Sequence, residues 1–161
     1  MKKILSAVIV FCVMIFFANC SAYIDKSRCA IGGLQIYNSP SYVKKIYGEP
    51  DRTESRFISK DNNDYYIDLD IDTWFYGDSL EIQFWNGEVI EIHSTKNNGL
   101  KTPDGITVGM KSVILFEKYG QPDERFDEGI VYHNTGTGHS HFIFGVKNGI
   151  IYTISLAGHY P

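Results

Sequence analysis

The sequence predicts an α+β protein of two tandem repeats, each a short helix or helix pair packed on a three- to four-stranded antiparallel meander. Three observations predict it. The stretch from Gly33 to Asp51 returns from Gly105 to Asp123 at an offset of 72 residues: Gly33, Tyr47, Gly48, Pro50 and Asp51 recur as Gly105, Tyr119, Gly120, Pro122 and Asp123. The apolar Leu34, Ile36, Tyr42 and Val43 recur as Ile106, Val108, Ile114 and Leu115. Each copy is followed by strand-like alternation, Leu80-Ile82-Phe84 in the first and Phe142-Phe144-Val146 in the second, and each alternation runs into an Asn-Gly pair, Asn86-Gly87 and Asn148-Gly149. Both residues of such a pair tolerate positive φ, the requirement of a two-residue hairpin turn.

Residues 1–22 read as an export signal: Lys2 and Lys3, an apolar run from Ile4 to Phe17, then Ala18-Asn19-Cys20-Ser21-Ala22. The run is shorter than the ~18 residues of a membrane span. Two processing routes fit. Phe17-Ala18-Asn19-Cys20 resembles a bacterial lipobox, which makes Cys20 the lipidated N-terminus; alternatively the chain is cut after Ala22. Either route leaves Cys29 as a lone thiol with no intramolecular disulfide, fitting a quiet buried residue. Residues 23–32 form a polar lead, 33–96 the first repeat, 97–104 a linker with Gly99 and Pro103, and 105–161 the second repeat.

In the first repeat Ser39-Pro40 starts a helix: the Ser side chain accepts an orphan N–H, and Pro at the first helical position has none to lose. Tyr42, Val43 and Ile46 form its apolar stripe. Gly48 ends it and Pro50 keeps it ended. In the second repeat Lys111 or Ser112 starts the helix, Val113, Ile114 and Leu115 pack, and Gly120 and Pro122 stop it. Ser59 to Asp64 reads as a polar loop. Ile67, Leu69 and Ile71 alternate with Asp68, Asp70 and Asp72 in the next strand, and Thr73 to Tyr76 continue it. After a turn at Gly77-Asp78 come Leu80 to Trp85 and, past Asn86-Gly87, Glu88 to Ser94. At an offset of 62, Tyr152 and Ile154 fall on Ile90 and Ile92.

The pattern of Gly-Ile/Leu, then Tyr-Gly-x-Pro-Asp, then Trp74-Phe75-Tyr76, then Leu80-x-Ile-x-Phe with Asn-Gly resembles the BamE-like (SmpA/OmlA) lipoproteins, over residues 33–95 and 105–157. Val131-Tyr132-His133 stands where the second copy should repeat the aromatic strand. A tandem of such units is similar to the β-lactamase inhibitory protein architecture. The resemblance implies small envelope proteins with helices on a sheet that act by binding, and it transfers no catalytic residue.

Charge limits the partners. Without Lys2 and Lys3 the chain carries 13 Lys and Arg against 19 Asp and Glu, a net charge of about −6, which is unsuited to neutralising phosphates. Nucleic acid is not an expected partner. No nucleophile elbow, phosphate loop or dinucleotide fingerprint is present, so no enzyme and no cofactor are expected. Asp68-x-Asp70-x-Asp72 opens like a calcium loop, but Thr73 and Ser79 stand where that loop needs Gly and Glu; an acidic row on a wet strand face, discouraging edge pairing, explains it. Two features remain. If Leu80, Ile82 and Phe84 face the core, Glu81, Gln83 and Trp85 face outward. On the next strand Ile90 and Ile92 go in and Glu91 and His93 out. His139, His141, Ile143, Ile151 and Thr153 form the corresponding face of the second repeat. The expected function is binding of another envelope or secreted protein by Glu81, Gln83, Trp85, Glu91, His93 and Ile143, with the membrane met only through a lipid anchor or the signal. The alternative is a small ligand or metal held by His139 and His141, joined by His133 if the turn places it on the same face.

Overall fold

At each of the two Asn-Gly pairs the chain reverses within two residues. Asn86 and Gly87 have φ of 48° and 80°, and Asn148 and Gly149 have φ of 51° and 73°, as a tight hairpin demands. The structure, a computed structural model, describes residues 24–62, 65–134 and 140–159; residues 1–22, expected to be an export signal, and Cys20 among them lie outside these. The described residues form strands β1 (Arg52–Asn62), β2 (Tyr65–Tyr76), β3 (Leu80–Trp85), β4 (Glu88–Ser94), β5 (Glu124–Phe126), β6 (Gly129–His133), β7 (Ser140–Lys147) and β8 (Ile150–Gly158), with helices α1 (Pro40–Tyr47) and α2 (Val113–Tyr119). All eight strands join one antiparallel sheet in the order β1-β2-β3-β4-β8-β7-β6-β5.

This corrects the expected α+β pair of repeats. The protein is mainly β: one eight-stranded sheet with two short helices of 8 and 7 residues. Pairing of β4 with β8, from Glu91↔Ala157 to Ser94↔Ile154, makes the sheet continuous. Ser59 to Asn62, expected in a loop, continue β1. That strand, RTESRFISKDN, shows little apolar alternation because it is an edge strand, and its residues through Ser59 are exposed. The Asp row consequently lies on the second strand, not on an edge.

Capping explains the helices. Ser39 Oγ accepts from Tyr42 N at 3.3 Å, Pro40 is the first helical residue, and the Gly48 N–H donates to Lys44 O at 2.8 Å with φ of 81°. Gly120, at φ 72°, ends α2 in the same way. Seven or eight residues cannot hold a helix alone in water, so packing holds them. Only Val43 of α1 is fully buried, while Tyr42 and Ile46 are more than 40% exposed. In α2, Leu115 and Tyr119 are buried and Val113 is exposed.

The core lies between the helices and one face of the sheet. Ile82, Phe84, Val89, Ile92, Phe142, Phe144, Ile151, Ile154 and Leu156 from the strands meet Val43, Leu115 and Tyr119 from the helices. Cys29 is buried in this layer as a free thiol, and burial pushes its pKa up to about 11. The lead is tied down by Arg28, whose Nε and Nη2 donate to Asp104 at 2.9–3.1 Å and whose guanidinium covers the Tyr119 ring. The segment 97–104 packs with it: Gly32 N donates to Lys101 O, and the Tyr119 hydroxyl meets Thr102 Oγ1 at 3.3 Å.

Candidate functional site

Alternation sends every second residue of β2–β4 and β6–β8 away from the helices, and the ladder registers set these residues in rungs. One rung runs Val131, Ile143, Ser155, His93, Glu81, Phe75, Arg52. The next runs His133, His141, Ala157, Glu91, Gln83, Thr73, Glu54. Trp85 follows one step further on, opposite Ile71. The structure thus brings together Glu81, His93 and Ile143 on one rung and Gln83, Glu91 and His141 on its neighbour. No described helix lies on this face, since the buried residues of both helices belong to the core on the other side.

Three positions, Ile151, Tyr152 and Ile90, depart from the expectation, for one physical reason. Each inner hairpin contains a β-bulge: the register shifts between Gln83 and Phe84 against β4, and between Gly145 and Val146 against β8. A bulge inserts one unpaired residue and resets the alternation beyond it. Ile151 therefore turns into the core rather than outward, at 0% exposure, and Tyr152 is left 40% exposed. On β4, Val89 takes the core place beside Phe84, and Ile90, though buried, lies outside the core cluster.

Side-chain size changes across this face at β8. Ser155 and Ala157 are small, and larger side chains flank them: Ile143 and His141 on β7, His93 and Glu91 on β4. His93 Nδ1 lies 2.6 Å from Ser155 Oγ. Glu91 is half-buried, and burial raises its pKa, with Glu81 adding to the rise and His93 opposing it. Trp85 is half-buried and its Nε1–H donates to Gln83 Oε1 at 2.8 Å. At the end of the Glu81–His93 rung a cavity of about 350 Å3 is lined by Arg52, Phe75, Ser79, Glu81, His93 and Thr95, with the Arg52 guanidinium 3.6 Å from the centre of the Phe75 ring.

The histidines form a row that sequence reasoning saw only in part. Asn134 N donates to Ser140 O at 2.8 Å, so His133 pairs directly with His141 on the same face. Their ring centres are 5.5 Å apart, and His159, not singled out from the sequence, is 5.4 Å from His141. Its period-two relation to Ser155 and Ala157 was the available signal. His133 Nε2 lies 3.0 Å from Glu124 Oε1. His141 has a lowered pKa, through burial first and the neighbouring His133 and His159 next, and its buried Nδ1 has no hydrogen-bond partner among the described residues. Among those residues no three His, Cys, Asp or Glu side chains stand together to hold a metal ion. His139 lies outside them.

No protein-family model matches the sequence, and no curated protein does. Among solved structures the chain is similar to the uncharacterized protein YfeY of Escherichia coli, at 15% identity and a TM-score of 0.47, over 83% of this chain and 99% of that one. It is also similar to an extracellular protein containing an SCP domain from Bacillus anthracis, at 11% identity and a TM-score of 0.41, over 76% of this chain and 43% of that one. Neither description names a BamE-like lipoprotein or a β-lactamase inhibitory protein. No helix among the described residues is long and apolar enough to cross a membrane.

Proposed function

We propose that this is an exported protein of the bacterial envelope that works without catalysis, binding another envelope or secreted protein through the helix-free face of its sheet. The observation that carries the reading is the convergence of Trp85, Gln83, Glu91, Glu81, His93 and Ile143 on adjacent rungs of that one face. A half-buried Trp beside charged and apolar neighbours is the composition of a binding centre. Glu91 adds an acidic group whose burial already disfavours its charge, so a partner that brings a cation to it gains more than it would at a fully hydrated carboxylate. Residues 1–22 supply the export signal, with Cys20 as the lipid attachment point or Ala22 as the last residue removed. An envelope assembly factor and an enzyme inhibitor both fit this mode of action.

Affinity capture from envelope extract tests the reading. Trp85→Ala is expected to lose a partner that both the native chain and Glu117→Ala, changed on the exposed side of α2, retain. Truncation of a central Trp typically costs 2 kcal/mol or more of binding, roughly thirtyfold in affinity. Equal recovery of every partner by all three proteins would remove the sheet face as the binding surface.

A further inference from the structure

The sheet ends on one side in β5, a three-residue strand, and on the other in β1, which runs eleven residues. β1 pairs with β2 in unbroken register from Arg52↔Phe75 to Asn62↔Tyr65, with no bulge and no Pro. A long, regular edge is a template for another strand, and folded proteins usually shorten, bend or cover such edges. We propose that β1 pairs antiparallel with β1 of a second copy of this chain, across a two-fold axis at Ser55, joining two sheets into one.

The hydrogen bonds around β2 show which groups face the edge. Asp70 directs its backbone toward the Asn86 turn: its carbonyl accepts from Asn86 N at 2.8 Å, and its N–H donates to Asn86 Oδ1 at 3.0 Å. Successive residues of a strand direct their backbone groups to opposite sides. Ile71, Thr73 and Phe75 therefore face β1, and the Phe75 carbonyl does accept from Asp51 N. Their partners Arg56, Glu54 and Arg52 use their backbone groups toward β2. Thr53, Ser55 and Phe57 direct theirs outward. With the axis at Ser55, the outward-facing pairs are Ser55 with Ser55, and Thr53 with Phe57 in both directions, about six backbone hydrogen bonds in all.

Charge pairing fits this register. Arg52, Glu54 and Arg56 lie on the helix-free face, with Glu54 ion-paired to Arg52. The Ser55 axis places Glu54 of each copy opposite Arg56 of the other, a closely approaching non-hydrogen-bonded pair of opposite charge. Moving the axis to Glu54 or to Arg56 sets like charges opposite, and moving it to Thr53 leaves an overlap of three strand residues. Phe57, 61% exposed on the helix side, gains cover from Thr53 of the other copy. A two-fold axis perpendicular to the sheet leaves both helix-free faces on the same side, so the dimer presents two copies of the face described above. Edge pairing through β1 is independent of any function of that face.

Sedimentation velocity over about 1–100 μM, with circular dichroism to confirm folding, tests the pairing. The native chain is expected to dimerise. Glu54→Arg should weaken the dimer at least about tenfold, because two attractive cross-strand pairs become repulsive. Ser55→Pro should abolish it, since Pro removes an edge N–H that β2 does not use. The double variant E54R/R56E exchanges the charges and should restore it. A native chain that stays monomeric at the top of that range, a dimer indifferent to Glu54→Arg and Ser55→Pro, or a failure of the double variant to recover association would each overturn the proposal.

Discussion

Glu91 stands on β4 between Gln83 and Ala157, with Glu81 and His93 on the adjoining rung. Burial and the Glu81 carboxylate raise its pKa above the ordinary 4.5. A carboxyl whose folded pKa is raised binds its proton more readily in the folded state, so this group favours folding most below the ordinary value and loses that contribution as pH rises through the folded one. Glu91→Gln is therefore expected to raise thermal stability at pH 7 and to have its smallest effect below about pH 4; equal effects at both pH values would deny the burial cost. The outward placement of Glu91, Glu81, Gln83 and Trp85 was legible from two-residue alternation alone. The burial that perturbs Glu91 was not, because it depends on β8 lying beside β4, a contact no local pattern encodes.

Turns and caps were the legible elements, since Ser39, Gly48, Gly120 and the two Asn-Gly pairs act through backbone conformations few other residues provide. Bulges were not: Gln83 and Gly145 mark the same place in the two inner hairpins, yet the residues differ, and no composition announces the extra residue. Gly145 is there for room. A Cβ on it would lie 2.3 Å from Thr153 Oγ1 and 2.9 Å from Tyr152 Cζ. In the first hairpin Gln83 occupies the corresponding position opposite Glu91. Gly145→Ala is expected to cost about 1–3 kcal/mol by overpacking, measurable by urea unfolding; an unchanged midpoint would mean that the Thr153 hydroxyl and the Tyr152 ring both move aside freely. β1 was illegible for the opposite reason, because a strand with one neighbour and a wet surface needs no apolar pattern.

A single core cluster takes Val43, Ile82 and Ile92 from the first half of the chain and Leu115, Phe142 and Ile154 from the second. Neither half closes its own core, so the molecule is expected to unfold in one transition, with far-ultraviolet dichroism and aromatic fluorescence changing together. Two separated transitions would show that the halves fold independently. Leu115→Ala should shift the whole transition by about 2–5 kcal/mol. The repeat at 72 residues was visible at once in the sequence, but the way its copies join was not: nothing in Glu88–Ser94 or Ile150–Gly158 specifies that they are neighbours. That junction also fixes a timetable. Synthesis delivers β4 well before β8, so a growing chain carries β4 as a second bare edge until β8 emerges. A chain stalled before Ile150 is thus the form most open to pairing with the wrong partner.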